Sequence, residues 1–174
     1  MNKILHYKTT DGKRVLTNPI DKEDCDNEIV AHYYKDGVGT IVFEKELTII
    51  PKALFRGAWT LKEVVIPKSV RMIENNAFEK CKHLKKVILQ NGLLSIGERA
   101  FAYTEIKEVV IPSSVIVICK FAFSHCPNLK LVDFQIPYSA CIVGDHCFHA
   151  SPMHTLHTTE NHIFSPTAFD PIQL

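Results

Sequence analysis

The sequence predicts a solenoid of stacked coils with a parallel sheet down one side. Three observations predict it. A phenylalanine recurs about every 23 residues, aliphatic residues recur in the same phase, and short β-branched runs end in proline. The phenylalanine ladder reads Leu54-Phe55, Ala77-Phe78, Ala100-Phe101, Ala122-Phe123, Cys147-Phe148 and Ala168-Phe169. Its spacings are 23, 23, 22, 25 and 21 residues, and it takes six of the ten phenylalanines in the chain.

Each coil is justified in turn by its columns. Copies open on Leu61, Leu84, Ile106 and Leu129. The β-branched run follows, as Val64-Val65-Ile66-Pro67 and Val109-Val110-Ile111-Pro112, with Val87-Ile88-Leu89-Gln90 as the copy that lacks proline. Such a run suits a strand, and the proline ends it by removing a ladder donor. An aliphatic then stands at Leu47, Val70, Leu93 and Val115, with Ala140 as the weak member, and another at Ile50, Ile73, Ile96, Ile118 and Val143. A unit this short cannot bury its own apolar face, whereas stacked units can. The competing reading, an amphipathic helix pair per coil, fails because Pro67, Pro112 and Pro137 fall where a helix would have to continue.

At Leu61–Leu84 the full pattern is Leu-x-x-Val-x-Ile-Pro-x-Ser-Val-x-x-Ile-x-x-x-Ala-Phe-x-x-Cys-x-x-Leu. It resembles the repeat of BspA-type leucine-rich repeat proteins, and Ile106–Leu129 matches it again through Ser114-Val115, Ala122-Phe123 and Cys126. The likeness runs over roughly residues 37–169, and Tyr7 to Phe43 resembles the short segment ahead of such repeats in gut bacterial members. The resemblance implies a leucine-rich repeat solenoid: a right-handed superhelix with a concave parallel β-sheet and irregular or short helical turns on the convex side. It also implies no enzyme activity, no cofactor, and a surface or secreted protein that binds host proteins or other cells.

Stacked coils need capped ends. A strand-rich cap is expected over residues 1–36, with the solenoid over 37–174 as about five repeats plus a partial one. Ile4 to Lys8 and Arg14 to Thr17 flank Thr10-Asp11-Gly12-Lys13, and Ile29 to Tyr34 and Gly39 to Phe43 flank Asp36-Gly37, two hairpin signals. The strand ending at Phe43 is expected to be the first rung of the sheet. Past Gln135-Ile136, irregular coils and a strand at His154 to Thr158 are expected, with Phe164 in the last, partial copy.

Composition narrows the function classes. The chain has 174 residues, 46% hydrophobic and 22% charged, with a formal net charge of +1. That is globular, and it lacks the basic excess of a nucleic-acid binder. No stretch approaches the roughly 18 apolar residues of a membrane span. The opening Met1 to Lys8 lacks the apolar core of a leader. Location is therefore open between the cytosol, from that start, and the cell surface, from the resemblance.

Chemistry-bearing residues are sparse. Cys25, Cys81, Cys119, Cys126, Cys141 and Cys147 show no C-x-x-C spacing. Cys81 and Cys126 share a column two coils apart, about 10 Å, too far for a disulfide. Six free thiols are expected, with Cys147 in the small position of the ladder and Cys119 in a glycine position. The histidines at 146, 149, 154, 157 and 162 read as solvated turn residues rather than a metal site. His125-Cys126 is not a dyad, because neighbours on a turn point apart. No phosphate loop, nucleophile elbow or carboxylate pair appears, so no catalytic residue, metal or cofactor is assigned.

The strand alternation gives the candidate site. If Val64 and Ile66 face inward, the outward pairs are Thr40/Val42, Glu63/Val65, Lys86/Ile88, Glu108/Val110 and Leu131/Asp133. One column, Val42-Val65-Ile88-Val110-Asp133, is an apolar stripe on the concave face, a surface for a protein partner unless those residues merely suit strands. The expected function is a non-catalytic protein-binding or adhesion module. The alternative is a structural protein that forms homo-oligomers through its sheet edge or partial last repeat.

Overall fold

The computed structural model describes residues 2–22, 25–137, 140–153 and 155–158. The elements run β1 (Ile4–Thr9), β2 (Ile29–Lys35), β3 (Val38–Phe43), β4 (Ile49–Ile50), β5 (Leu61–Val65), β6 (Met72–Ile73) and β7 (Lys86–Ile88). They continue as β8 (Ser95–Ile96), β9 (Glu108–Ile111), β10 (Val117–Ile118), β11 (Leu131–Phe134), β12 (Ile142–Val143) and β13 (Thr155–His157). Each coil contributes one rung to a broad sheet, β5, β7, β9, β11 and β13, and one two-residue rung to a narrow sheet, β4, β6, β8, β10 and β12. Rungs within each series that pair do so in parallel. The chain is thus a β-solenoid of about five turns.

The interior is built column by column. Leu61, Leu84, Ile106 and Leu129 are fully buried, as are Ile50, Ile73, Ile96 and Ile118. Phe55, Phe78, Phe101, Phe123 and Phe148 stack face to face, with ring centroids 5.1, 5.1, 5.2 and 5.7 Å apart and planes within 13°. Phe169 lies outside the described residues. The backbone holds this register. Phe55, Phe78, Phe101 and Phe123 N–H groups each donate to the carbonyl of the small residue one coil on, at 2.8 Å. Cys81 and Cys126 thiols and the Ser151 hydroxyl donate to the phenylalanine carbonyl of the preceding coil, at 3.0, 3.3 and 2.8 Å. A small side chain with a donor is what that buried carbonyl requires.

The face opposite the broad sheet holds the expected irregular turns, preceded in each coil by a rung of a second parallel sheet, with no α-helix among the described residues. Each turn places two residues in left-handed backbone, one two positions before the phenylalanine and one two positions after it: Asn76 and Lys80, Arg99 and Tyr103, Phe121 and His125, His146 and Ala150. Two expectations about the cap are corrected. Residues Arg14 to Thr17 form no strand with β1. The strand ending at Phe43 is not the first rung, because β1 inserts between β3 and β5 and pairs antiparallel with both. The β2–β3 hairpin turns at Asp36-Gly37, both at positive φ, as a primed two-residue turn demands. The 36/37 boundary falls on that turn, and one apolar core runs continuously on both sides of it.

Tyr7 explains the insertion. Its ring lies against Phe55 at 6.3 Å and closes the aromatic stack. Its hydroxyl accepts from Val15 N–H at 3.1 Å and bonds His32 Nε2 at 2.7 Å. Gly39, opposite Tyr7 in the ladder, is the residue that leaves room, since a Cβ there would meet the Tyr7 ring at 2.1 Å.

Candidate binding face

The broad sheet presents every second side chain outward. Val64, Val87, Val109 and Val132 are buried, so their neighbours face solvent. Pairing aligns Glu63 with Lys86 and Val65 with Ile88, then Glu108 with Leu131 and Val110 with Asp133. Val65, Ile88 and Val110 are 39%, 37% and 48% exposed, while Leu131 and Asp133 are half-buried. Asp133 pairs in turn with His157 on β13, and the expected strand is thereby found, with His154 outside the described residues.

Two members sit elsewhere than expected. Val42 does not neighbour Val65, because β1 lies between, and it is Ile4 that pairs with Val42. Thr40 is buried and shares its hydroxyl with His6 Nδ1 at 3.2 Å. The row beside Val65 therefore runs through His6, not Val42. Sequence columns compare copies of a repeat, and β1 belongs to no copy, so nothing in the periodicity could place it.

A groove of about 520 Å³ lies on this face where β1 meets the rungs, lined by His6, Lys8, Val38, Glu63, Lys86 and Ile88. Lys8 pairs with Glu63 at 3.0 Å. The hydrogen bond from Lys8, aided by the charges of Lys8, Lys62 and Lys86, holds the Glu63 carboxyl below the usual range.

The sheet has one seam. Among the described residues β7 and β9 share no ladder pairing, although the narrow sheet and the phenylalanine stack continue unbroken past them. The seam coincides with a missing residue. Cys81 to Leu84 and Cys126 to Leu129 are three residues apart, whereas Thr104 to Ile106 is two. The coil reaches β9 one residue early there, while the inward columns Leu84 to Ile106 and Val87 to Val109 continue across the seam.

A further column emerges along the rim of this face: Lys62, Lys85, Lys107 and Lys130, all exposed. Each follows the inward aliphatic that opens its coil, which is the signal by which the sequence could have revealed it.

The remaining candidates show neither an activated thiol nor converging metal ligands among the described residues. None of the six cysteines is in a disulfide. Burial pushes the Cys81 thiol up to about 12 and Cys141 to about 11, and also raises Cys126 and Cys147, the reverse of an activated nucleophile. The Cys126 thiol points into the core while the His125 ring stacks on Tyr103 at 4.6 Å, so the two side chains diverge. The turn histidines are not simply solvated. His125 and His149 rings lie 5.4 Å apart and His146 and His149 5.6 Å apart, and burial with His149 nearby pushes the His125 imidazole down. No group of three metal-ligating side chains converges among the described residues. His162 lies outside them.

The family model described as "BspA type Leucine rich repeat region (6 copies)" matches residues 31–172. The chain belongs to this family. No curated protein matches the BspA-type chain. Among solved structures it is similar to the pneumococcal vaccine antigen PcpA, at 21% identity and a TM-score of 0.51, over 66% of this chain and 36% of that one. It is also similar to a leucine-rich repeat protein from Bacteroides ovatus, at 18% identity and a TM-score of 0.45, covering 82% and 45% of the two chains. A leucine-rich cell surface protein from Faecalibacterium prausnitzii is 18% identical with a TM-score of 0.43, covering 87% and 54%. The BspA-type chain thus spans from about a third to about half the length of these relatives. No helix among the described residues is long and apolar enough to cross a membrane.

Proposed function

We propose that the chain is a non-catalytic protein-binding module of adhesion type, presenting its broad sheet to a protein or cell-surface partner. The observation that carries the reading is the face itself. Val65 and Ile88 stand exposed and in register beside the groove, and Val110 continues the apolar character past the seam. A rigid face with aligned apolar and charged columns suits recognition of a surface better than enclosure of a small substrate. Family membership supports binding as the class of function.

The test is direct. In a panel of purified extracellular-matrix and cell-surface proteins screened against the full chain, a partner should bind at micromolar affinity or better. Val65→Lys with Ile88→Lys should weaken that binding by about ten-fold or more, because a charge replaces each buried apolar contact. Binding unaffected by both changes would put the contact elsewhere. Sedimentation of the chain alone checks self-association. A stable dimer lost on the same changes would mean that the face serves a second copy.

A further inference from the structure

The lysine column on the rim is a local conflict. Lys85 N–H donates to Lys62 O, and Lys130 N–H to Lys107 O, both at 2.9 Å. Within each pair the residues are therefore one strand spacing apart, about 4.8 Å. Like charges in adjacent register repel and cost stability. Some lysines elsewhere are matched, Lys8 with Glu63, Lys22 with Glu28 and Lys120 with Glu98, while others such as Lys13, Lys35 and Lys80 stand singly; what sets the rim apart is that its lysines repeat in one column. In the column only Lys85 has a carboxylate, Glu105 at 3.7 Å. Lys62, Lys107 and Lys130 have none within ion-pair distance among the described residues. A like charge repeated in one column of four coils gives this rim a standing positive potential.

The neighbouring columns say what kind. Beside the lysines runs a mixed row, Glu63, Lys86 and Glu108. Its carboxylates disfavour a uniform polyanion such as a sulfated polysaccharide. Beyond it lie Val65, Ile88 and Val110, three residues further along each coil than Lys62, Lys85 and Lys107 and about 10 Å away. That separation matches the width of an α-helix, and a helical turn of about 5.4 Å nearly matches the coil spacing. Resting on the binding face proposed above, we propose that its occupant is an acidic amphipathic helix of a partner protein, lying along the stack. Its apolar stripe covers Val65, Ile88 and Val110, and its carboxylates face Lys62, Lys85, Lys107 and Lys130.

The test uses two helix-constrained peptides with the same leucine stripe, one flanked by glutamates and one by lysines, and fluorescence anisotropy with the full chain. The glutamate peptide should bind about ten-fold or more tightly than the lysine peptide, the sum of several rim ion pairs. The triple change Lys62→Gln, Lys85→Gln, Lys107→Gln should erase that preference, and Lys→Glu at the same three positions should invert it. The melting curve of the glutamine variant should match or exceed the parent's, since repulsion between adjacent lysines is removed. Three results overturn the inference: no preference for the glutamate peptide, a preference that survives the glutamine changes, or a heparin oligosaccharide that binds through the lysines and displaces the peptide. If Val65→Lys with Ile88→Lys abolishes binding while the lysine changes do nothing, the acidic helix falls and the binding face stands. If neither set matters, both fall.

Discussion

Phe101 sits mid-stack between Phe78 and Phe123, fully buried, with both faces covered. Phe101→Ala should cost about 3–5 kcal/mol, whereas Glu98→Ala, which gives up surface ion pairs to Arg99 and Lys120, should cost about 1 kcal/mol or less. Urea denaturation of both variants checks the contrast. Thiol chemistry offers a second measurement. Cys119 alone among the six is not buried, so in the native protein it should alkylate first while Cys81, Cys126 and Cys147 wait on unfolding. Timed labelling with mass spectrometry would report the order. His32 gives a pH signature. Burial, with Arg14 nearby, pushes its imidazole down to about 4. The unfolded chain then binds the proton near the ordinary value of about 6.5 while the folded chain resists it, so stability is full above that pH and falls between about 6.5 and 4. The Tyr7 hydroxyl, which already accepts from Val15 N–H, loses its acceptor when His32 Nε2 is protonated. Melting temperature against pH should flatten in this window for His32→Gln, and an unchanged slope would show that another group titrates there.

At the scale of the element, the strands and the phenylalanine columns were legible because each side chain repeats with its coil. The narrow sheet was not, since rungs such as Ile49–Ile50 are too short to show alternation. The left-handed positions were not legible either, because Asn76, Lys80, Arg99 and Tyr103 are ordinary residues forced into that backbone by the inter-coil bonds around them. Such a residue carries strain of about 1 kcal/mol, which glycine would relieve against a comparable cost in the unfolded chain. Lys80→Gly should therefore change stability by about 0.5 kcal/mol or less, although glycine is destabilising at most surface sites. The seam makes a sharper claim. Lys85 and Lys130 N–H groups are bonded across coils, and no such bond to the preceding coil is formed by Lys107. Hydrogen exchange should be fastest at Lys107 of the three, and inserting one residue between Thr104 and Glu105 should slow it.

For the molecule as a whole, the candidate face was only half legible. Glu63, Val65, Lys86, Ile88, Glu108 and Val110 follow from alternation within the repeat. The placing of Thr40 and Val42 does not, because it depends on a strand outside the repeat. The core is continuous from Leu5 in the cap to Phe148 in the last described coil. Cap and coils should accordingly melt in one transition, seen alike by circular dichroism and tyrosine fluorescence. Removing residues 2–16 strips β1 and Tyr7 from the stack and bares the edge of β5, so that variant should aggregate on size exclusion where the full chain does not.

The antiparallel β1 also gives the stack a polarity. Its far side is taken by β3, so no parallel rung can dock ahead of β5. Gain or loss of whole units is open only downstream, where each narrow-sheet rung offers the next the same parallel edge. Duplicating residues 70–92 should lengthen the ring column by one phenylalanine, about 5 Å, without disturbing the Tyr7 plug.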